Sequence, residues 1–472
     1  MKIGLINTGL DENAPPINLV YLATSLKLNG FDEVKIIDET YGKKNLFKEI
    51  KGLDCVGISA MTKSYSRAIE IAKEIKSQRN LPVIVGGVHI STASHSLSKY
   101  FDLGVIGEGE KILIDLCRIL DLKGSLDNHD LNNIPGLVYW DNGLPITTDP
   151  PALIKNLDDL PIPDFGLLDE QYFKKKWISW NDTTGRIMHI TTSRGCPYNC
   201  IFCSAKLFWK VTRFHSAERI LSEVKELVSK WDIDHIVIDD DLFLTNQQRL
   251  GRFTELMEEN NLAGRVAFSC NARTNLINEE MCRLLKRMGM KSMNFGFESG
   301  NDRVLRYLKG SNVTVEDHKR AIQLCKEYGI RVYGSLIFGC PTETLEEMKE
   351  TLNFIDFAIK NKCHKLFAFV MTPLPATPIW EIAKERGKVN DVMDWDILDL
   401  NNYENPMLIE PSIDLKEFKD IFKEATAKLD RAWMKDKWHK FLFFEHRRVI
   451  KKILENPIRA MVMFRNIFLR YN

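Results

Sequence analysis

The sequence predicts an α/β protein. We expect an N-terminal doubly wound, Rossmann-like domain over residues 1–125, a connector over 126–185, a partial (β/α)6 barrel of the TIM type over 186–385 and a C-terminal helical region over 386–472. Two observations predict this class. Short apolar runs alternate with helix-length segments in both halves, which is typical of βαβ units. Most of these runs are continuously apolar, as in parallel strands covered by helices on both faces. A chain of 472 residues is long enough for two or three such domains.

The N-terminal half contains five predicted strands, at residues 2–6, 33–37, 55–58, 83–85 and 103–106, with helical patterns between them. Ligands of doubly wound sheets bind at the carboxyl ends of the strands. Small and polar residues follow four of these strands: Asn7; Ser59 and Thr62; Gly86, Gly87 and His89; and Gly107, Glu108, Gly109 and Glu110. Each segment alone would equally suit a plain strand-to-helix turn, but glycines also permit close backbone approach to a ligand. The four together predict a ligand crevice.

The connector is expected to contain a small hairpin over residues 136–148, with a turn at Asn142-Gly143. Prolines at positions 150, 151, 161 and 163 then favour an extended chain.

The second half contains six predicted strands, at 186–191, 235–238, 267–269, 292–297, 331–337 and 365–369. Helical patterns follow at 217–230, 247–260, 279–288, 302–308, 315–328 and 345–360. Six such units predict a parallel, partly open barrel with its chemistry at the carboxyl ends of the strands.

A cysteine-rich loop follows the first of these strands and contains Cys196, Cys200 and Cys203. Three thiolates at this spacing can ligate three irons of a [4Fe–4S] cube and leave the fourth iron open to a ligand. The alternatives are a zinc site or three unrelated cysteines. Zinc usually needs a fourth protein ligand and paired knuckles, and the sequence has no second knuckle.

The cysteine spacing resembles the radical S-adenosylmethionine (SAM) family, whose open iron binds the amino and carboxylate groups of SAM. Phe202 matches the aromatic residue that this family places against the adenine. Polar residues at the later strand ends also suit SAM: a carboxylate of Asp239 or Asp241 could hold an ammonium or ribose hydroxyl, and Asn271 and Arg273 end the third strand. Arginine pairs well with a carboxylate such as that of SAM.

Two further strand ends resemble family motifs. The segment with Glu298 and Ser299 is similar to the motif that contacts the ribose and methionine of SAM, and the segment with Phe338 and Gly339 is similar to one whose backbone meets the adenine.

The N-terminal half resembles the cobalamin-binding domain that precedes many radical SAM domains. The resemblance lies in Pro15-Pro16 and in the small and polar segments that follow the predicted strands. It implies that the residues named in those segments contact cobalamin. Many such domains carry a DxHxxG loop whose histidine binds the cobalt. The corresponding residues 38–42 contain no histidine, which argues against a histidine-ligated cobalt rather than against cobalamin.

The resemblance implies a cobalamin-dependent methyltransferase of unactivated carbon, with one SAM cleaved to a radical, a second SAM remethylating the cobalt, and an external electron donor such as flavodoxin or ferredoxin. The alternative is radical cyclisation, coupling or rearrangement in the same scaffold. A methylthiotransferase would need a second cysteine trio upstream, but only Cys55 and Cys117 precede Cys196. A sensor without catalysis would fail to cleave SAM.

The formal net charge of +1 gives no reason to expect a nucleic-acid partner. The first residues enter a buried-strand pattern directly, so no signal peptide is expected, and no apolar run is long enough to cross a bilayer. The ten cysteines fit a reducing cytoplasm, and the seven outside the loop are expected to be small buried residues.

The C-terminal residues 431–472 carry eleven Lys/Arg against three Asp/Glu, together with eight aromatic residues. This pattern suits either a helical cap on the barrel, which we favour, or a helix on an anionic membrane surface. No feature of the sequence identifies the substrate. A lipid is one hypothesis, and a peptide or small metabolite is another.

Overall fold

The computed structural model describes residues 1–8, 14–39, 46–174, 177–178 and 184–440. Three segments discussed above lie outside the described residues: Gly9, residues 40–42 of the loop without a histidine, and residues 441–472 of the basic tail.

The N-terminal sheet has seven strands in the order β2-β1-β3-β4-β5-β6-β7. The strands are β1 Ile3–Asn7, β2 Val34–Asp38, β3 Cys55–Ser59, β4 Val83–Gly86, β5 Leu103–Val105, β6 Leu137–Asp141 and β7 Leu144–Thr147. The first five are parallel, and β1 pairs with β2 on one side and β3 on the other. The order 2-1-3-4-5 is that of a flavodoxin-like doubly wound sheet, so the predicted fold class is confirmed.

Six helices accompany this sheet. They are α1 Ile17–Leu28, α2 Leu46–Ile50, α3 Tyr65–Gln78, α4 Val88–Thr92, α5 Gly109–Lys123 and α6 Asn128–Asn132. Helix α3 covers one face of the sheet through Ala68, Ile71 and Ile75, whereas α1 and α5 cover the other. The strands are apolar throughout because both of their faces are buried.

The hairpin of the connector belongs to the N-terminal sheet. Strand β6 pairs antiparallel with β5, and β7 pairs antiparallel with β6. Asn142 and Gly143 both have positive φ, 48° and 79°, as a two-residue hairpin turn requires. The sheet therefore continues past residue 125, because three consecutive residues of β6, Leu137 to Tyr139, are buried and complete its core.

Helix α1 is apolar on all sides. Leu19, Ala23 and Leu26 pack in the core of the N-terminal sheet, whereas Val20 and Tyr21 pack in the core of the second half. A helix that is hydrophobic all round is normally buried all round. This helix therefore belongs to both halves of the protein.

The second half is built on six parallel strands in the order β10-β13-β14-β15-β16-β17, with β10 and β17 at the edges. These are β10 Ile187–Ile190, β13 His235–Ile238, β14 Ala267–Ala272, β15 Met290–Glu298, β16 Arg331–Phe338 and β17 Lys365–Val370. Two short ribbons accompany them: β8 Trp177–Ile178 with β9 Thr184–Gly185, and β11 Ser193–Arg194 with β12 Arg213–Phe214. The predicted partial barrel is confirmed.

The helices of this half are α7 Gln171–Lys174, α8 Ala205–Trp209, α9 Ala217–Trp231, α10 Gln247–Glu259, α11 Glu279–Met288, α12 Asp302–Lys309, α13 Val315–Glu327, α14 Leu345–Lys360, α15 Pro378–Glu385 and α16 Leu415–Lys440. Several begin at a side-chain cap, for example Asn246 before α10 and Thr344 before α14. Each cap satisfies a backbone N–H that the first turn leaves unpaired, so these helices start at defined places after the strand ends.

The two faces of the second sheet differ in chemistry. Ile236, Phe295 and Leu336 face the helices and form the main core. Alternate residues point to the opposite side of a strand, so the barrel interior receives polar side chains together with apolar ones such as Phe367 and Phe369. Four of the polar residues, Asn271, Asn294, Tyr333 and Lys365, are direct neighbours in register.

The C-terminal region is only partly helical, contrary to prediction. Residues 386–414 contain a single short 3-10 turn at Trp395–Ile397, because this stretch is rich in Asn, Asp and Pro, which favour turns over helix. Helix α16 packs on the barrel through Phe418 and Phe422. The cap predicted for residues 431–472 falls mostly outside the described residues. Within the described ranges, no helix is long and apolar enough to cross a membrane. Six of the seven cysteines outside the loop are buried.

Candidate functional site

A cavity of about 580 Å³ lies where the carboxyl ends of the first sheet face the cysteine loop of the second half. Ten of the sequence-predicted site residues line it: Ser59, Gly86, Gly87, Gly107, Glu108, Gly109, Glu110, Cys203, Asp239 and Asp241. The structure therefore brings together residues that the sequence assigned to two separate domains.

Glycine is required on the N-terminal side of this cavity. Gly87 has φ +103°, and a Cβ there would lie 2.6 Å from the carbonyl oxygen of Ala60. Gly107 also has a positive φ, +83°. Side chains are disfavoured in such conformations, so the wall is backbone at these turns, and beside them it is lined by apolar side chains such as Leu22, Met61 and Leu113.

Three predicted contact residues do not line the cavity: Asn7, Thr62 and His89. The amide of Asn7 donates to Asp38 at 3.1 Å. His89 lies in α4 with its ring fully buried, and the two ring nitrogens lie 3.2 Å from Thr62 Oγ1 and 3.0 Å from Ser96 Oγ. Burial lowers the pKa of His89 to about 3. This histidine is neutral and supports the loops, with no nitrogen left for a ligand in the cavity.

The cysteine loop is closed at its base by the β11–β12 ribbon, in which Arg194 is the cross-strand partner of Arg213. Gly195 follows with φ +95°, and a Cβ there would lie 2.7 Å from the carbonyl oxygen of Val211. Only glycine allows the two sides of the loop to approach so closely.

The three cysteines of the loop differ in exposure: Cys196 and Cys200 are half-buried and Cys203 is exposed. Three thiolates suit an iron–sulfur cluster with one open iron better than zinc, which usually takes four protein ligands in a structural site.

Arg273 holds the cysteine loop. Its Nη1 donates to Cys200 Sγ at 3.3 Å and its Nη2 to the carbonyl oxygen of Lys309 at 3.1 Å, while its guanidinium lies 3.9 Å from the ring centre of Tyr198. The sequence predicted that Arg273 pairs with the carboxylate of SAM. In the structure, its guanidinium N–H groups donate to the cysteine loop and to Lys309. Phe202 is half-buried beside the core under α3 and α4.

The three aspartates after β13 have different surroundings. Asp240 is fully buried and accepts hydrogen bonds from the backbone and hydroxyl groups of Thr192 and Ser193 at 2.5–2.9 Å. Asp239 lines the cavity and pairs with His189 Nδ1 at 2.6 Å. Desolvation and the adjacent Asp240 raise the pKa of Asp241. Asp240 therefore anchors the strand end, and its two neighbours face the cavity.

The remaining predicted SAM residues lie away from the cavity wall, at the ends of β14 to β16. Asn271 accepts from Asn294 at 3.2 Å. Glu298 and Ser299 are buried: Glu298 lies 3.4 Å from Lys309 Nζ, and Ser299 Oγ lies 3.3 Å from Thr351 Oγ1. Lys309 joins Glu298 to Arg273, which binds the Lys309 carbonyl oxygen and Cys200, whereas Asn271 and Ser299 bond to separate partners.

The last pair, Phe338 and Gly339, is buried under the C-terminal helix. The Phe338 ring packs edge-on against Phe422, 5.8 Å between centres. The buried carboxylate of Glu343 accepts from the backbone N–H groups of Gly339 and Cys340 at 2.9 and 3.1 Å. Desolvation raises the pKa of Glu343 to about 8, although these bonds act in the opposite direction.

Sequence reasoning missed the partners of Glu108 and Glu110. Arg194 donates to Glu108 and Glu110 at 2.5 Å each, and Arg213 donates to Glu108 at 2.8 Å. Burial alone would raise the pKa of Glu108, but the two arginines outweigh it and the pKa is lowered. A buried acidic pair requires cationic partners. In the sequence, Arg194, two residues before Cys196, was the residue that could have been predicted as a partner of the two glutamates.

Comparison with known proteins agrees with this arrangement. The model of the radical SAM superfamily matches residues 190–355, and that of the B12 binding domain matches residues 3–116. An uncharacterized methyltransferase of Pyrococcus horikoshii is 32% identical over 94% of this chain and 94% of its own length. An anaerobic magnesium-protoporphyrin IX monomethyl ester cyclase of Rubrivivax gelatinosus is 28% identical over 72% of this chain and 61% of its own length.

Among solved structures, the radical SAM methyltransferase TsrM of Kitasatospora setae, with cobalamin and a [4Fe–4S] cluster bound, has the same fold. It aligns with a TM-score of 0.67 and 20% identity, over 92% of this chain and 89% of its own.

The fold and the site thus define an enzyme that combines a cobalamin-binding domain with a radical SAM barrel. The chain belongs to the radical SAM superfamily, in the group that carries a B12 binding domain. Its cofactors are a [4Fe–4S] cluster, SAM and cobalamin, as predicted from the sequence.

Proposed function

We propose that this protein is a cobalamin-dependent methyltransferase that uses radical SAM chemistry to methylate an unactivated carbon of a small molecule. The observation that carries the proposal is the cavity shared by the glycine-lined strand ends of the first sheet and by Cys203, Asp239 and Asp241 of the second half. Hydrogen abstraction and methyl delivery must act on the same carbon, and one shared space brings both reagents to it.

The N-terminal wall would hold cobalamin mainly through backbone. Ser59, Gly86, Gly87, Gly107 and Gly109 line the cavity, and the four glycines leave open surface because they carry no side chain. Among the described residues that line the cavity there is no histidine, which supports binding without a histidine ligand. Asn7, Thr62 and His89 would act behind this wall, by fixing the loops.

The barrel wall would hold the cluster and SAM. Cys196, Cys200 and Cys203 are the cluster ligands, and Asp239 and Asp241 would meet the polar groups of SAM that face the cavity. Arg273, Asn271, Glu298 and Ser299, which end neighbouring strands beside the loop, would orient the SAM methionine and ribose. Phe202 and the backbone of Phe338 and Gly339 would flank the adenine.

When bound, these groups supply the chemistry: a reduced cluster cleaves SAM to a 5′-deoxyadenosyl radical, and cobalamin carries the methyl group. The chain contributes positioning, exclusion of water and a path for electrons from an external donor. The buried Asp240 and Arg273 contacts keep the loop in one geometry through this cycle.

The barrel interior supports a polar substrate. Asn271, Asn294, Tyr333 and Lys365 form one row across adjacent strands. A lipid chain placed against this row would displace water from polar groups without replacing its hydrogen bonds, which is unfavourable. We therefore favour a water-soluble small molecule over the lipid that the tail suggested. Co-sedimentation with anionic liposomes, compared between the full chain and a chain ending at residue 440, tests the membrane hypothesis; loss of binding on truncation would support it.

The central experiment is anaerobic reconstitution with iron, sulfide, hydroxocobalamin, a reductant and SAM that carries a deuterated methyl group. Methyl transfer predicts both S-adenosylhomocysteine and 5′-deoxyadenosine, and a small-molecule extract should yield a product heavier by the labelled methyl. If neither SAM product forms, the enzyme proposal fails.

A second candidate function is radical cyclisation, favoured by the similarity to the Rubrivivax cyclase. It predicts 5′-deoxyadenosine without S-adenosylhomocysteine, and a product without the label. The same assay therefore separates the two reactions.

A further inference from the structure

The ribbon at the base of the cysteine loop has an unusual composition. Arg194 and Arg213 are direct cross-strand partners in β11 and β12, and like charges in that position destabilise a pair of strands. Both guanidinium groups are buried, with 9% and 8% of the side chain exposed. Such a pair is stable only if anions lie between the two cations.

Those anions come from the other half of the protein. Glu108 bridges the two arginines, with Oε1 accepting from Arg194 and Oε2 from Arg213, while Glu110 accepts from Arg194 alone. Glu108 lies in the glycine-rich turn after β5, as the N-cap of α5, and Glu110 lies in the first turn of that helix. We call these four residues the inter-domain clamp. Its charges balance, so it is stable only when the loop and the turn are in contact.

Two further contacts make the clamp rigid. The ring of Trp209, at the end of α8 in the cysteine loop, lies 5.4 Å from the Arg194 guanidinium and 5.9 Å from that of Arg213. Arg213 also donates to the carbonyl oxygen of Ile154. The clamp closes the loop that contains all three cysteines, and it borders the shared cavity through Arg194, Glu108 and Glu110.

We propose that Arg194 and Arg213 are positioning residues that fix the cluster loop to the cobalamin-binding domain through Glu108 and Glu110, and thereby set the separation between cluster and cobalt. This rests on the proposed function, since it requires both centres to be bound. Glu108 serves two arginines and Glu110 only one, so Glu108 has the larger influence on that separation.

The test measures the magnetic dipolar coupling between cob(II)alamin and the reduced cluster by pulsed EPR of the reconstituted protein. Glu108→Gln and Glu110→Gln keep the side-chain size and remove the charge. We expect both variants to retain iron and cobalamin, while the defined coupling of the wild type broadens, more strongly for Glu108→Gln. The control Glu258→Gln removes a carboxylate from an exposed pair with Arg287, and should keep the wild-type coupling.

Unchanged coupling in both loaded glutamate variants would overturn the inference and leave the proposed function intact. A wild-type protein that binds no cobalamin, or shows no coupling, would instead overturn the proposed function. If the glutamine variants do not fold, Arg213→Lys replaces them: it keeps the charge but shortens the reach to Glu108 and Ile154, and an unchanged coupling there also overturns the inference.

Discussion

The two walls of the cavity are built by opposite means. On the cobalamin-binding side the strand-end turns leave side chains out: Gly87 and Gly107 have positive φ and present backbone, and the polar residues behind them bond to one another. On the barrel side the chain adds charged side chains held by partners, such as Asp239 against His189 and Arg194 against Glu108 and Glu110. We expect the first wall to recognise a ligand by shape and the second to orient reactive groups by electrostatics. Substitutions should therefore fail for steric reasons on the first wall and for electrostatic reasons on the second.

The largest effect is expected at the cluster itself. Cys200→Ala removes one of three ligands, so the cluster should not assemble and SAM cleavage should fall below detection. Iron analysis and chromatography of 5′-deoxyadenosine measure this, and hydroxocobalamin binding should be unchanged because the other wall is intact. Cys282→Ala, a buried cysteine away from the loop, should keep both cofactors. Cleavage surviving in Cys200→Ala would contradict the ligand assignment.

On the glycine wall, Gly87→Ala should weaken cobalamin binding about tenfold or more, roughly 1.4 kcal/mol or more. The added Cβ would collide with the Ala60 carbonyl oxygen and push the loop into the cavity. Titration with hydroxocobalamin gives the dissociation constant, while cluster content should stay constant. Gly124→Ala is the control, since its φ is also positive but its surroundings are open; equal losses in both variants would point to backbone strain and not to the wall.

A smaller effect is expected from Arg273→Lys, beside the cysteine loop behind the charged wall. Lysine keeps the charge but loses the planar contact with Tyr198 and the fork that joins Cys200 to Lys309. We expect the cluster to assemble and the dissociation constant for SAM to rise by about fivefold to tenfold. Equilibrium binding of SAM to the reconstituted protein tests this, with Arg287→Lys on the surface as the control. An unchanged constant would place Arg273 outside the SAM site.

The smallest effect concerns stability and its pH dependence at Glu343. Its folded-state pKa is raised from 4.5 to about 8 by desolvation, so the wild type loses stability as pH rises between these values. Glutamine does not ionise, so the variant does not lose stability in this way. The free energy of unfolding of Glu343→Gln relative to wild type should therefore rise with pH over that range, by on the order of 2 kcal/mol, and its melting temperature should rise with it.

Glu347→Gln provides the opposite sign. The hydrogen bond from Arg303 lowers the pKa of Glu347, so this carboxylate stabilises the fold above its ordinary pKa and that contribution is lost as pH falls. The melting temperature of Glu347→Gln relative to wild type should therefore fall as pH rises. Parallel trends in the two variants would refute the assignment of these pKa shifts.

Local signals in the sequence predicted most of the architecture. The strands were recognisable because both of their faces are buried, and the cysteine spacing carries its own chemistry. The hairpin was predicted, but its place beside β5 depends on pairing between distant segments. The helical prediction for residues 386–414 was wrong because apolar residues there pack without helical periodicity, for example Trp395 and Leu398, which lie in the core that includes α3 of the N-terminal domain.

The site was harder to predict than the fold. Residue type and strand-end position indicated His89 as a contact, yet its place in α4 turns the ring into the core. Glu108 and Glu110 were expected to face a ligand, and they do border the cavity. Their charge is nevertheless used by arginines 84 to 105 positions away in sequence. Such long-range pairing leaves no local pattern, so only a three-dimensional structure reveals it.

Helix α1 has a consequence for how the protein unfolds. Because Leu19 and Ala23 lie in one core and Val20 and Tyr21 in the other, neither half can lose its structure without exposing apolar surface of the second. The two halves should therefore melt in a single cooperative transition. A barrel expressed without its first 150 residues would lack this shared helix, and we expect it to aggregate.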